Sequence, residues 1–125
     1  MNKDISHKTK SFEVRLNEST RVQTTYPDKI CVYVERSETC KSIADIDKNK
    51  FLVPITLTVA EFIYTIRKRL HVPPESGLFF FVNNRIISGN VSMNEINNSH
   101  KDPDGFLYIK YSAENCFGMR DINRI

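Results

Sequence analysis

A chain of 125 residues with 40% hydrophobic and 26% charged residues, but only 4 glycines and 5 prolines, has the composition of one ordinary globular domain and excludes collagen-like and wholly disordered chains. Its formal charge of +3 is too small to call for a nucleic-acid or anionic-lipid partner. The apolar runs stay short, as in Gly77-Leu78-Phe79-Phe80-Phe81-Val82, against the roughly 20 residues a membrane-spanning helix needs.

The first ten residues are polar and aperiodic, with three lysines and no apolar h-region, so no secretory signal is expected and the chain should stay inside the cell. Cys31, Cys40 and Cys116 are odd in number and widely spaced, which reads as reduced thiols rather than a disulfide framework. With His7, His71 and His100 they make no C-x-x-C or H-x-x-x-H pair, so no metal site and no other cofactor is expected.

In chain order, residues 12–25 carry Phe12, Leu16 and Val22 among charges and predict a surface helix that ends at Tyr26-Pro27-Asp28. Residues 30–36 predict a strand. Ile30, Val32 and Val34 fall on one face and Cys31 and Tyr33 on the other, and apolar residues on both faces suggest a central position. After a polar loop, Lys50-Phe51-Leu52-Val53-Pro54 reads as a second, antiparallel strand, placed at an edge because Pro54 has no N–H.

Thr58-Val59-Ala60-Glu61 matches a capping box and opens a helix whose apolar stripe is Val59, Phe62, Ile63, Ile66 and Leu70. Arg67, Lys68, Arg69 and His71 suit its negative C-terminal end, and Pro73-Pro74 stops it. Residues 78–82 form an apolar strand followed by an Asn83-Asn84 turn and an irregular stretch to Asn90. Ser92-Met93-Asn94-Glu95 is a second capping-box match, opening a short helix to about Ser99. Pro103-Asp104-Gly105 is turn chemistry, residues 106–112 alternate as the last strand, and from Glu114 onward no period remains. This order predicts an α+β fold, with one long helix on one sheet and the last strand beside the first, as in the ubiquitin β-grasp, plus an additional N-terminal helical segment. The expected division is 1–27 helical extension, 28–113 ubiquitin-like core and 114–125 flexible tail.

The segments Lys50-Phe51-Leu52-Val53-Pro54, Ile66-Arg67-Lys68-Arg69, Phe79-Phe80-Phe81-Val82-Asn83-Asn84 and Asp104-Gly105-Phe106-Leu107-Tyr108 give the chain its resemblance to the autophagy ubiquitin-like modifiers of the GABARAP and microtubule-associated light chain 3 type. It runs from about Phe12 to Gly118. The resemblance implies a protein that is not an enzyme but is handled by several. A processing cysteine protease would cut between Gly118 and Met119, and activating and conjugating enzymes would pass Gly118 to phosphatidylethanolamine. The product would sit on the autophagosome membrane, and from there reach the vacuole or lysosome, while the unconjugated form stays cytoplasmic.

Cargo receptors would bind through an aromatic-x-x-aliphatic peptide that adds to the second strand. The resemblance assigns Glu18, Val22, Cys31, Lys50, Leu52 and Phe106 to an aromatic pocket. It assigns Phe51, Val53, Pro54, Leu57, Phe62 and Thr65 to an aliphatic pocket, with Arg69 near acidic groups of the peptide. Cys31 stands where such proteins commonly carry proline, Thr65 replaces a large aliphatic residue, and Asn97 replaces an aromatic one.

Each assignment has a plainer counterpart. Leu52, Phe62 and Phe106 have the spacing of ordinary core residues, and Arg67-Lys68-Arg69 that of a solvated helix end. Cys116 lies two residues before Gly118 without an adjacent histidine, and reads as a bystander. A ubiquitin-like docking domain that is never conjugated is the alternative function. An RNA-binding sheet built on Phe79-Phe80-Phe81 lacks the alternating glycine–aromatic signature.

Overall fold

The computed structural model describes residues 7–116. The helix α1 (Phe12–Thr25) precedes strands β1 (Lys29–Arg36) and β2 (Lys50–Pro54), helix α2 (Val59–Leu70), strands β3 (Leu78–Val82) and β4 (Arg85–Ile86), helix α3 (Met93–His100) and strand β5 (Leu107–Ala113). A 3-10 turn, His7–Thr9, stands in front of α1, and another, Glu114–Cys116, follows β5. One five-stranded sheet has the order β2-β1-β5-β3-β4, with β1 and β5 parallel and the other pairs antiparallel. This is the expected β-grasp. The first strand is internal, the last lies beside it and β2 forms an edge.

Local chemistry sets most boundaries. At Thr58 the capping box is complete: its Oγ1 accepts from the Glu61 N–H at 3.1 Å, and the Glu61 carboxylate accepts from the Thr58 N–H at 2.8 Å. His71 ends α2 in the left-handed conformation, φ 59°, and its N–H returns to the last-turn carbonyls. At Ser92 the Oγ accepts from the Glu95 N–H at 3.0 Å, which is the Ser92 half of the expected box. The Val59 N–H bonds the Val91 carbonyl and the Met93 N–H the Leu57 carbonyl, both at 2.8 Å, so the two helix starts are tied together.

The core lies between the sheet and α2. Ile30, Val32 and Val34 of β1, Phe80 of β3 and Leu107, Ile109 and Tyr111 of β5 meet Val59, Phe62 and Ile66 there. Tyr111, buried, donates its hydroxyl to the Ala44 carbonyl at 2.6 Å, and its pKa is pushed up to about 12, chiefly by burial. The other sheet face carries a smaller cluster of Cys31, Tyr33 and Phe106, with Val22 and Tyr108 against it.

Five details depart from the sequence expectations. Both Asn83 and Asn84 take positive φ, making a tight turn that pairs β3 with a two-residue strand, β4, in the stretch expected to be irregular. Phe12 is exposed; α1 instead seats on the body through Ser19, Arg15 and Glu18. Arg67, expected as a solvated helix end, donates to the carbonyls of Pro73 at 2.9 Å and Ser76 at 2.5 Å. Cys40 and Cys116, expected as separate thiols, are joined as a disulfide because β1 and β5 run in parallel and bring their following segments together. The segment after β5 begins with an ordered turn rather than directly as aperiodic chain; residues 117–125, with Gly118 and Met119, lie outside the described residues. No helix among the described residues is long and apolar enough to cross a membrane.

Candidate functional site

The β2 edge is the feature that a partner can use. Two ladder bonds fix its alternation: the Asn49 carbonyl accepts from the Val34 N–H at 2.8 Å, and the Ile55 N–H donates to the Asp28 carbonyl at 3.1 Å. Backbone groups of residues 49, 51, 53 and 55 therefore face β1, and those of Lys50 and Leu52 face outward. Sheet order leaves no strand beyond them among the described residues. An extended peptide can continue this ladder, because unpaired N–H and C=O groups on an edge form a template for another strand.

Side chains of β2 alternate between the sheet's two faces. Lys50 and Leu52 lie toward α1. The Lys50 ammonium meets the Glu18 carboxylate at 2.9 Å, with Lys10 3.9 Å from the same group. Burial works against both charges, but hydrogen bonding and mutual attraction outweigh it, holding the Glu18 carboxyl below and the Lys50 ammonium above their ordinary values. Leu52 is 39% exposed, a large apolar side chain on an open edge. Cys31 pairs across from Leu52, with its thiol pushed up mainly by burial. Phe106 is buried beside it and Val22 of α1 is half-buried against the same cluster. All six residues assigned to an aromatic pocket thus lie on one face around Leu52 and Lys50.

Phe51 and Val53 turn to the α2 side. Phe51 is half-buried and meets the Phe62 ring edge-on at 5.6 Å; the Arg69 guanidinium lies 5.8 Å from its ring centroid and the Lys48 ammonium 5.0 Å. Leu57 is half-buried against the same core, whereas Pro54, two positions after Leu52, falls by the strand alternation on the α1 face, so the structure does not bring it to the side of Phe51 and Val53. Val53 and Phe62 are almost wholly buried, so they form core rather than a surface a ligand touches. Thr65 is exposed and donates its hydroxyl to the Glu61 carbonyl at 3.2 Å, within its own helix. Arg69 is paired with Asp47 at 3.0 Å, an exposed contact that peptide carboxylates can displace.

Two features at the rim had no role in the sequence. His7 sits 2% exposed between Tyr33 and Phe106, with ring centroids at 5.2 and 4.4 Å, and neither ring nitrogen has a hydrogen-bond partner among the described residues. Its pKa is lowered, first by burial and then by the Lys50 charge. Asp104, wholly buried, receives Arg15 and the Tyr108 hydroxyl on Oδ2, both at 2.5 Å, and the Phe106 N–H on Oδ1 at 2.8 Å. Its carbonyl accepts from Ser19 Oγ at 2.6 Å, and a Cβ on Gly105, at φ +91°, would lie 2.8 Å from Ser19 Cβ. This knot holds α1, and with it Glu18, against the sheet. An aspartate before a turn glycine is visible in sequence as a cap for the Phe106 N–H; its partner 89 residues earlier is not.

The profile of the family described as "Autophagy protein Atg8 ubiquitin like" matches residues 14–118. Autophagy-related protein 8d of Arabidopsis thaliana is 47% identical over 108 residues, covering 86% of this chain and 89% of that protein. Autophagy-related protein 8 of Mycosarcoma maydis is 46% identical over 109 residues, covering 87% and 92%. Among solved structures, the crystal structure of Trypanosoma brucei ATG8 superposes with a TM-score of 0.85 at 35% identity, covering 94% of this chain and all of that one.

Proposed function

Because the chain belongs to the Atg8 family of ubiquitin-like autophagy proteins, whose members are modifiers rather than enzymes, we propose that it is a conjugatable docking platform. It recruits aromatic-x-x-aliphatic peptides along β2, and reaches membranes by conjugation of Gly118 to phosphatidylethanolamine. The observation that carries the docking half is the open β2 edge, with outward backbone at Lys50 and Leu52 and apolar side chains on both sides. The ladder holds the peptide, the aromatic residue sits by Leu52 and Glu18–Lys50, and the aliphatic residue sits by Phe51 and Leu57. Each buried side chain contributes about 1.5–3 kcal/mol. Acidic residues flanking the motif pair with Arg69 and Lys48.

The conjugation half rests on Gly118, one position beyond Phe117 in a chain whose family match ends at residue 118. Glycine offers a carbonyl without a neighbouring side chain, which lets a protease thiolate and then an activating enzyme reach it. A processing cysteine protease removes residues 119–125, and activating and conjugating enzymes join the new carboxylate to the lipid amine. Two acyl chains, at about 0.8 kcal/mol per buried CH₂, hold the protein on a bilayer more firmly than one chain or a +3 charge does.

The test is Gly118→Ala with an epitope tag after Ile125. The unmutated protein loses the tag and gains a membrane-bound, delipidation-sensitive form in starved cells, whereas the variant keeps the tag and stays unlipidated. Equal tag retention in both, with peptide binding intact, would leave a docking domain that is never conjugated.

A further inference from the structure

The aromatic end of the β2 site is closed while the edge is free. Cys31 is 4% exposed and Phe106 3%, so neither presents a surface to an incoming ring. The imidazole of His7 stands against Phe106, with centroids 4.4 Å apart, and stacks on Tyr33 at 5.2 Å. We propose that His7 is a displaceable plug of this site: its ring fills the slot of Tyr33 and Phe106 while the edge is free, and yields that slot to the aromatic residue of a bound peptide. This rests on the reading that β2 docks aromatic-x-x-aliphatic peptides.

The slot and the docking strand are neighbours by register. Leu52 pairs with Cys31, and Lys50 pairs with Tyr33, two residues or about 7 Å further along β1. Cys31, Tyr33 and Phe106 pack as one cluster, so a ring seated by Leu52 and the Glu18–Lys50 pair meets the edge of the slot that His7 fills.

Of the groups that close this end, His7 is the one whose side chain no polar bond retains. Val22 and Glu18 belong to α1, which Arg15 and Ser19 fasten to Asp104. Both nitrogens of the His7 ring are buried and lack a hydrogen-bond partner among the described residues. The His7 N–H donates to the Tyr33 hydroxyl at 3.3 Å, and the His7 carbonyl accepts from the Lys10 N–H at 3.1 Å. Both bonds use the main chain, so the ring can swing out with them in place. Outside the slot its nitrogens regain water, and an incoming phenyl ring covers the same aromatic walls with no unpaired polar atom of its own.

A charge on the ring acts in the same direction. The groups facing it are Lys50 of β2, Glu18 of α1, Lys10 of its own segment, Asp104 of the turn before β5, and the Tyr33 and Tyr108 hydroxyls. Burial and then Lys50 hold the seated imidazole below its ordinary value of 6.5, against the attraction of Glu18 and Asp104. The displaced ring is free of that burial, so peptide binding takes up a proton as pH falls through 6.5 toward the lowered value, and affinity rises with acidity there. Between pH 7.5 and 5.5 the gain is bounded at about tenfold for one such group.

The experiment titrates full-length wild type, His7→Ala and His7→Phe with a synthetic peptide in which phenylalanine, two alanines and leucine are flanked by glutamates, by calorimetry at pH 7.5 and 5.5. The His7 Cε1–H resonance of wild type is followed by NMR; the neighbouring rings displace it in the free protein, and saturation with peptide moves it to the position of a solvated histidine. At pH 7.5 His7→Ala binds at least about threefold more tightly than wild type, the gain when a competent fraction of about one third or less becomes whole. His7→Phe, whose ring keeps the slot without unpaired nitrogens, binds more weakly than wild type. Wild type gains affinity at pH 5.5 relative to His7→Ala, in which His71, His100 and Glu35, a carboxyl raised chiefly by burial, are unchanged. Binding along Lys50 and Leu52 with the His7 resonance unmoved overturns the plug, and so do equal affinities of wild type and His7→Ala with parallel pH profiles. The resonance needs no variant, so it decides even where His7→Ala costs the fold. Failure of wild type and both variants to bind the peptide overturns the docking reading and the plug with it.

Discussion

Asp104→Asn removes one charge from the knot that fixes α1 and changes almost no volume, which makes it a sharp test of what seats that helix. The carboxylate is wholly buried and the Arg15 side chain is 11% exposed. If the new amide keeps its oxygen toward the Phe106 N–H, its NH₂ faces the Arg15 Nη1 donor, which loses its carboxylate acceptor while Arg15 Nε keeps the Lys10 carbonyl at 3.2 Å. If it turns over, the Phe106 N–H loses its own. Removing one partner of a buried ion pair costs about 3–5 kcal/mol, and the residual exposure of Arg15 places this case near about 3 kcal/mol. With a urea m-value of about 2 kcal/mol/M, the unfolding midpoint should fall by about 1.5 M. Arg15→Met leaves the opposite charge stranded, so the double variant should be less destabilised than the sum of the singles by about 1 kcal/mol or more. In HSQC spectra the Glu18–Lys50 region should shift with Asp104→Asn, because α1 carries Glu18. A loss under about 1 kcal/mol, or strict additivity, would refute the idea that this ion pair seats α1.

Leu52→Ala should weaken an aromatic-x-x-aliphatic peptide by about 1 kcal/mol or more, read by calorimetry, with little change in unfolding midpoint because the side chain is already 39% exposed; unchanged affinity would remove Leu52 from the site. His7→Phe should fill the same slot without buried ring nitrogens and flatten part of the pH dependence of stability. The His7 pKa is lowered from 6.5 in the fold, where Lys50, Lys10, Glu18 and Asp104 surround it, so the unfolded chain binds a proton that the fold resists. Wild-type stability contributed by this group is therefore full above pH 6.5 and declines as pH falls below it toward the folded value. Identical slopes for wild type and variant between pH 7.5 and 5.5, with His71 and His100 common to both, would count against the buried imidazole.

What the sequence determined by itself is what short-range chemistry controls. The bounds of α1, the Thr58 capping box, the Lys50–Pro54 strand with its Pro54 edge and the Asn83-Asn84 turn all depend on residues within a few positions of one another, and the structure reproduces them. The grouping of Lys50, Leu52 and Phe106 came from the family resemblance alone, and the structure puts Leu52 across from Cys31, which packs with Phe106. Other features only the tertiary structure decided. Val53 and Phe62 have the same period whether they line a groove or fill a core, and packing alone made them core. His7 meets Tyr33 across 26 positions, Cys40 meets Cys116 across 76 and Arg15 meets Asp104 across 89. Nothing local distinguishes those residues from solvated ones. Their roles arise from the parallel β1–β5 pairing and the seating of α1, which bring distant segments to one place after the sheet has formed.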